Sequence, residues 1–403
     1  MPRSELCTAL GIPTLTMTPT TTAPAPLQHT AFHQFHVDHG GKMVDFAGWD
    51  MPLHYGSIID EHNQVRRSGG MFDVSHMGRV RFSGRDARRF LDHICTRQVF
   101  DMTAGQVRYS LVCNESGGCR DDVLVYRLGE NEFIMVVNAS NRTKLLQHFE
   151  QVKSARGFVF KMADETQSTA MVALQGPKVI ELIGKFSTEV PTLKRYRFTE
   201  KNLIFMKLLI SRTGYTGEDG VEVILPSRMA NQAVQLLMGK LGSSSEGGAE
   251  AAAVKPAGLG ARDSLRLEAG MPLYGHEITE ANDPVSAGLN FAIKLDKGDG
   301  NAEIGRFIGQ DALQKVAREG PRNRLVGLKL DGKRSARQGM VVRRGGKDIG
   351  FVTSGCLSPT LGYPIAMAYV GAGDSEIGKT VQIDLGKATA EAQVVALPFY
   401  KSK

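Results

Sequence analysis

At 403 residues, with 42% hydrophobic and 23% charged side chains, the chain is longer than one hydrophobic core usually supports and is expected to form two or three domains. No apolar run approaches the roughly twenty residues that a membrane-spanning helix needs, which excludes that class. A formal net charge of +7 points to an anionic partner, but Lys and Arg are scattered and no nucleic-acid module signature occurs, so no nucleic-acid partner is expected.

Residues 1–27, including TMTPTTTAPAPL, are rich in Thr, Pro and Ala without amphipathic period and are expected to be disordered, with Met17 as an alternative start. They hold one Arg, at position 3, and a Glu at position 5, which fits neither a presequence nor a secretory signal. A cytoplasmic protein is therefore expected, or one of the mitochondrial matrix if the source is eukaryotic. His29, His33, His36 and His39 follow at helical spacing, but no Cys or carboxylate completes a diagnostic ligand set. A solvated helix surface is the expectation there, with no metal. Five cysteines, at 7, 95, 113, 119 and 356, lack metal-ligand spacing and read as reduced thiols.

From residue 28 to about 300 the chain reads as an α+β body of two domains, approximately 40–150 and 155–300. LVCNESGG enters a turn and DDVLVYRL leaves it, which predicts a hairpin. FIMVVNAS reads as the next strand, and Asn141–Gln151 as an amphipathic helix capped by Ser140. ALQGPKVIELI reads as strand, Gly turn and helix, with Pro177 at an early helical position. Residues 242–253, GSSSEGGAEAAA, read as a low-complexity surface loop. From 305 to 403 several short strands, with a Gly345-Gly346 hairpin signal, predict a small β-barrel or sandwich.

The hairpin carries paired acids. Strand alternation sends Asp121 and Asp122 to opposite faces and puts Asp122, Leu124 and Tyr126 on one face. A carboxylate among apolar residues is costly unless it is paired or used, so a turn-stabilising pair and a catalytic acid both fit. Glu222 lies on an otherwise apolar strand, and Arg262 lies on a helix where Asp263 and Arg266 can satisfy each other at i, i+3. Those two residues could hold a planar ligand bearing donors, acceptors and a negative charge, or could bridge each other. Gly214, Gly217 and Gly220 are spaced by three, and Gly258 and Gly260 complete no dinucleotide fingerprint.

Seven runs taken together resemble the glycine cleavage T-protein family: HGGKMVDFAGWDMPLHY (39–55), FDVSHMG (72–78), GGCRDDVLVY (117–126), ALQGP (173–177), RTGYTGEDGVE (212–222), GLGARDSLRLEAGMPLYGHEI (258–278) and TSGCLSPTL (353–361). They follow in order from about residue 29 to the end. The resemblance implies a three-domain cloverleaf around a central folate cavity, with a C-terminal small β-barrel. It implies a tetrahydrofolate-dependent transferase of glycine catabolism and one-carbon metabolism, needing no metal. Its partners would be the lipoylated H protein and, in the same system, the P and L proteins. Carried over residue by residue, Asp122 matches the family's catalytic aspartate, while Glu222 and Arg262 match folate contacts. Tyr109, Tyr126, Asn138 and Tyr215 match positions lining the cavity, and Tyr400 matches a tail contact. A folate-dependent demethylase of a small methylated substrate and a non-catalytic folate-binding protein remain alternatives.

Overall fold

The acidic hairpin forms where alternation placed it: Val107–Cys113 pairs antiparallel with Cys119–Arg127, setting Leu111 opposite Asp122 and Val107 opposite Tyr126. In this computed structural model, which describes residues 26–203, 206–241, 253–300, 305–386 and 388–402, the hairpin is one edge of a five-stranded sheet. Glu132–Val137, Gly78–Ser83 and Lys161–Asp164 complete it. The face bearing Val123 and Val125 packs on helices Ala87–Ile94 and Arg142–Arg156 through Phe82, Phe90 and Phe149. Phe149 meets the other two rings edge-on and Phe82 stacks on Phe90, which favours aromatic packing beyond plain area burial.

A six-stranded sheet runs in the order Phe198–Leu203, Met206–Ser211, Gly220–Pro226, Thr169–Gln175, Gly70–Asp73 and Lys255–Pro256. Its outer face, with Val172, Val221 and Val223, buries against Val179, Ala230 and Val234 of the covering helices. Its inner face, with Phe72, Ala173, Leu209 and Ile224, meets Tyr126, Ile134 and Val136 of the first sheet. Sheets covered on both sides need strands that are apolar on both faces, which is why VEVILP and FIMVVN read as nearly continuous apolar runs. The sheets exchange strands across residue 150: Gly70–Asp73 pairs with Thr169–Gln175, and Lys161–Asp164 pairs with Gly78–Ser83.

The mixed α+β class and the C-terminal barrel are both as expected. Six strands between Asn323 and Val395 close into a barrel filled by Leu328, Val342, Val352, Ala368 and Ile383. Its hairpin turn uses Gly345 and Gly346 at φ 57° and 76°, the left-handed pair that a tight two-residue turn requires. Ile365 and Met367 on the barrel's outside pack against Leu267 of the helix Leu259–Glu268, joining barrel to body.

Two local expectations fail. Ser140 is exposed and caps nothing; the helix starts at Arg142 after a short 3-10 turn, because the Asn141 side chain is drawn away to Asp121. Pro177 lies just outside the helix Val179–Gly184. Residues 1–25 and 242–252 lie outside the described residues, and with them most of the expected disordered and low-complexity segments. Cys95, Cys113, Cys119 and Cys356 are free thiols. No helix among the described residues is long and apolar enough to cross a membrane.

Candidate functional site

The turn before the acidic strand is clamped from both sides. Asn114 Oδ1 accepts from the backbone N–H groups of Ser116 at 3.1 Å and Gly118 at 2.8 Å. The Cys119 N–H donates to the carbonyls of Thr279 and Asn282, at 2.9 and 3.1 Å. The strand therefore starts from a fixed position, and alternation turns Asp121 away from the inter-sheet space and Asp122 toward it.

Asp121 is wholly buried and accepts from the Asn138 N–H at 3.0 Å, Asn138 Nδ2 at 2.8 Å and Asn141 Nδ2 at 2.6 Å. Asp122 accepts from Asn138 Nδ2 at 2.7 Å and from the Tyr109 hydroxyl at 3.2 Å. Burial, and then the Asp122 charge, push the Asp121 carboxyl up to about 7. Burial also raises Asp122, against the hydrogen bonds from Asn138 and Tyr109. Both carboxyls are thus raised by desolvation, and two interacting acids of this kind titrate as a coupled pair.

Across the inter-sheet space, Glu222 sits opposite Ser211 on one neighbouring strand and Ala173 on the other. Its Oε2 accepts from Thr213 Oγ1 at 2.5 Å; Thr213 Oγ1 lies 2.7 Å from Ser211 Oγ, which is 3.1 Å from the Tyr126 hydroxyl. Tyr126 does share a face with Asp122, but it is fully buried and its hydroxyl belongs to the chain that holds Glu222. Arg262 makes no ion pair with Glu222 within 4.0 Å, so a bridge between the two is not what fills this space. Its guanidinium lies 4.8 Å from the centre of the Tyr215 ring, whose hydroxyl donates to the Pro272 carbonyl at 2.5 Å. Arg262 Nη1 is buried without a hydrogen-bond partner. Burial raises the Glu222 carboxyl and lowers the Arg262 guanidinium, and each partly offsets the other through space. Two opposite charges that sense each other yet do not touch leave room for a ligand with an N–H edge and an acceptor.

Tyr109 links the halves. Its hydroxyl is raised by burial and by the Asp122 charge and lies within electrostatic range of Tyr215, and its ring stacks on Phe291 with centroids 5.8 Å apart at 23°. Phe291 is 61% exposed and borders a cavity of about 420 Å³ that is also lined by Arg97, Arg108, Lys294, Asp101 and Asp296. The structure thus gathers Asp122, Asn138, Tyr109, Tyr215, Arg262 and Glu222. Tyr400 is elsewhere: its ring lies 4.0 Å from the Arg66 guanidinium and its N–H donates to the Glu268 carbonyl at 2.8 Å.

The N-terminal histidines differ from one another. His29 stacks on His33 at 3.7 Å, and His33 Nε2 lies 2.7 Å from Asp50 Oδ2; these three are the group among the described residues that could hold a metal ion. His36 is buried between Asp73 and the Tyr55 hydroxyl, so the expected solvated surface does not extend to it. One residue escaped sequence reasoning altogether. His76 is 3% exposed with an unpartnered Nδ1, and burial, helped by the charges of Arg262 and Arg79 and opposed by Asp73, lowers its pKa to about 4. Its only signal was its place in FDVSHMG, because a histidine in a short loop belongs to no periodic pattern.

The family models described as the GCVT N-terminal domain and the glycine cleavage T-protein C-terminal barrel domain match residues 32–297 and 323–401. An aminomethyltransferase of Rubrobacter xylanophilus is 44% identical over 382 residues, covering 94% of this chain and 96% of its own. One of Saccharopolyspora erythraea is 40% identical, covering 93% and 98%. The crystal structure of the glycine cleavage system aminomethyltransferase T from Bartonella henselae superposes with a TM-score of 0.83 at 33% identity, covering 93% of this chain and 98% of that one.

Proposed function

This chain belongs to the glycine cleavage T-protein family, and from that premise we propose how it works as an aminomethyltransferase of the glycine cleavage system. The reaction takes the aminomethyl group carried on the dihydrolipoyl arm of an H protein and delivers its carbon to tetrahydrofolate. The C–S and C–NH₂ bonds break and two C–N bonds form at folate nitrogens 5 and 10. The two protons those nitrogens lose leave on the released thiol and ammonia. The P and L proteins act elsewhere in the same system, and the expected compartment is the cytoplasm, or the mitochondrial matrix in a eukaryotic source.

The observation that carries this reading is the unbridged pair of Glu222 and Arg262, with Asp122 reached from it through Tyr215 and Tyr109. Glu222, held by Thr213, would accept from the N–H edge of the pterin ring. Arg262 would donate its unpartnered Nη1 to the ring's acceptor, and the rings of Tyr215 and Tyr109 would give it flat apolar surfaces. Asp122, in a proton-sharing pair with Asp121, would orient the reacting nitrogens and take up a proton as they become bonded to carbon. Tyr126 would support Glu222 from behind. The fold expectation of a three-domain cloverleaf is retained as part of this proposal, with the barrel near 305–403; the expected bounds of 40–150 and 155–300 are each crossed by one strand, Lys161–Asp164 in the first sheet and Gly70–Asp73 in the second.

The test is to supply purified protein with aminomethyl-loaded, reduced H protein and tetrahydrofolate and measure ammonia. Release well above the protein-free rate is expected. No release would overturn the reading, and release only from a small methylated compound would favour the demethylase instead.

A further inference from the structure

His76 stands in a loop that has little freedom. Ser75 donates its N–H to Asp73 Oδ1 at 2.8 Å, Met77 donates its N–H to the Val74 carbonyl at 3.1 Å, and the strand Gly78–Ser83 begins immediately after. Val74 and Met77 pack into the inter-sheet core beside Phe72 and Ile224, so the loop faces the space where Glu222 lies. The imidazole is held edge-on by the Phe46 ring, with centroids 5.4 Å apart at 84°. Nothing in this neighbourhood serves its Nδ1.

The charged groups nearby are already engaged. The Asp73 carboxylate receives Thr30 Oγ1 at 2.6 Å, His36 Nε2 at 2.9 Å and the Ser75 N–H. The Arg79 guanidinium is spent on the carbonyls of Ser75, Met77, Thr166 and Thr169 and on Thr169 Oγ1. Arg262 is the exception, with its own Nη1 unpartnered. Two buried nitrogens without partners, on residues close enough to sense each other electrostatically, lose their water and recover nothing, an arrangement that calls for an explanation in any native fold. Buried polar groups of this kind are what a site offers when a ligand completes them.

We propose that His76 is a further substrate-binding residue, whose unpartnered Nδ1, together with the unpartnered Nη1 of Arg262, hydrogen-bonds the polar edge of the tetrahydrofolate heterocycle. This rests on the reading of the chain as a folate-dependent aminomethyltransferase. Because burial keeps the ring neutral, His76 contributes one directional hydrogen bond without placing a second cation next to Arg262. Phe46, at the end of the strand Lys42–Phe46, sets the ring's orientation, so the hairpin it forms with Trp49–His54 becomes part of the binding wall.

Two variants test the assignment. His76→Phe keeps an aromatic ring and deletes Nδ1, and His76→Asn places an amide near the Nδ1 position. His76→Phe is expected to melt at or above the wild-type temperature, because a buried unpartnered polar atom is removed. Its dissociation constant for tetrahydrofolate, measured by calorimetry, should rise about 5- to 10-fold, as loss of one hydrogen bond predicts, with KM rising alongside and kcat changing less. His76→Asn should return affinity to within about threefold of wild type. Unchanged affinity in His76→Phe would overturn the assignment, as would equal losses of affinity and melting temperature in both variants, which is the pattern of damaged packing. If the wild-type protein itself binds no tetrahydrofolate, the functional reading falls and this inference with it; if wild type binds and His76→Phe binds equally, only this inference falls.

Discussion

Asp121 and Asp122 leave opposite faces of one strand, yet both accept from the same Asn138 amide nitrogen, at 2.8 and 2.7 Å. Asn138 thereby ties the acid facing the site to the acid facing the helical layer. Asp121 has its carboxyl pushed to about 7, first by burial and then by Asp122. Its folded value lies above the 3.8 of an exposed aspartate, so the folded protein binds the extra proton between those values. The resulting stability is present at acid pH and is lost as pH rises from about 4 through about 7, at a slope of up to about 1.4 kcal/mol per pH unit.

Asp122→Asn removes the repulsion and keeps the shape. The fall in melting temperature between pH 5 and pH 8 should shrink in this variant relative to wild type. Turnover should drop about 100-fold or more, the range for loss of a positioned proton-transfer group, while tetrahydrofolate binding stays within a fewfold. Full turnover in Asp122→Asn would leave that acid with a turn-stabilising role only.

Arg262 is a partly buried cation whose Nη1 is buried and which makes no ion pair, and desolvation lowers its pKa. Arg262→Met fills similar length without the charge, so its melting temperature should equal or exceed that of wild type. Affinity for tetrahydrofolate should fall about 10- to 100-fold, the range for a hydrogen bond made by a charged group. Arg262→Lys keeps the charge but loses the planar contact with Tyr215 and should fall between the two. Equilibrium binding with melting curves checks all three. A destabilised Arg262→Met with normal affinity would make Arg262 a structural residue.

How much of this was legible beforehand follows from the range of each interaction. The acidic hairpin, the faces of Asp121 and Asp122 and the Gly345-Gly346 turn were readable, because strand period and turn chemistry act over a few residues. The strands Gly70–Asp73 and Lys161–Asp164 are four residues each, too short to show which sheet they join. Ser140 looked like a cap because local rules favour it, but Asn141 Nδ2 serves Asp121, 20 residues away, and the helix starts differently. The chain Tyr126–Ser211–Thr213–Glu222 and the burial of an unpartnered His76 nitrogen depend on distant segments coming together. No single-segment pattern contains them.

Tyr400 separates a ligand contact from a latch. Its ring covers the Arg66 guanidinium, which is itself bonded to Glu218 and Glu268, and its backbone N–H holds the Glu268 carbonyl. Tyr400→Phe keeps the ring and should leave folate affinity nearly unchanged, while loss of the hydroxyl's hydrogen bond to Glu218 should cost up to about 1 kcal/mol of stability. Tyr400→Ala should cost about 1–2 kcal/mol of stability through the lost cation–π contact and burial. Denaturant midpoints and calorimetry distinguish these outcomes. A large affinity loss in Tyr400→Phe would restore the tail to the binding site.

Gly118 sets where the acidic strand begins. A Cβ at this position would come 1.8 Å from the Glu280 carbonyl oxygen and 2.6 Å from its carbon, a clash of backbone with backbone. Relief would require the turn to move away from residues 279–282, breaking the bonds from the Cys119 N–H to Thr279 and Asn282. Gly117, at φ 85°, is strained differently: its added Cβ would meet the end of the Leu313 side chain at 2.9 Å, which can yield. Gly118→Ala should therefore destabilise more than Gly117→Ala, about 3 kcal/mol or more against about 1–2 kcal/mol. It should also lower turnover at saturating tetrahydrofolate, since Asp122 lies four residues along the displaced strand. Urea midpoints give the first comparison and ammonia release the second. Equal midpoints for the two variants would mean that the contact with Glu280 does not hold the turn, and the position of Asp122 would then have to come from Asn138 and Tyr109 alone.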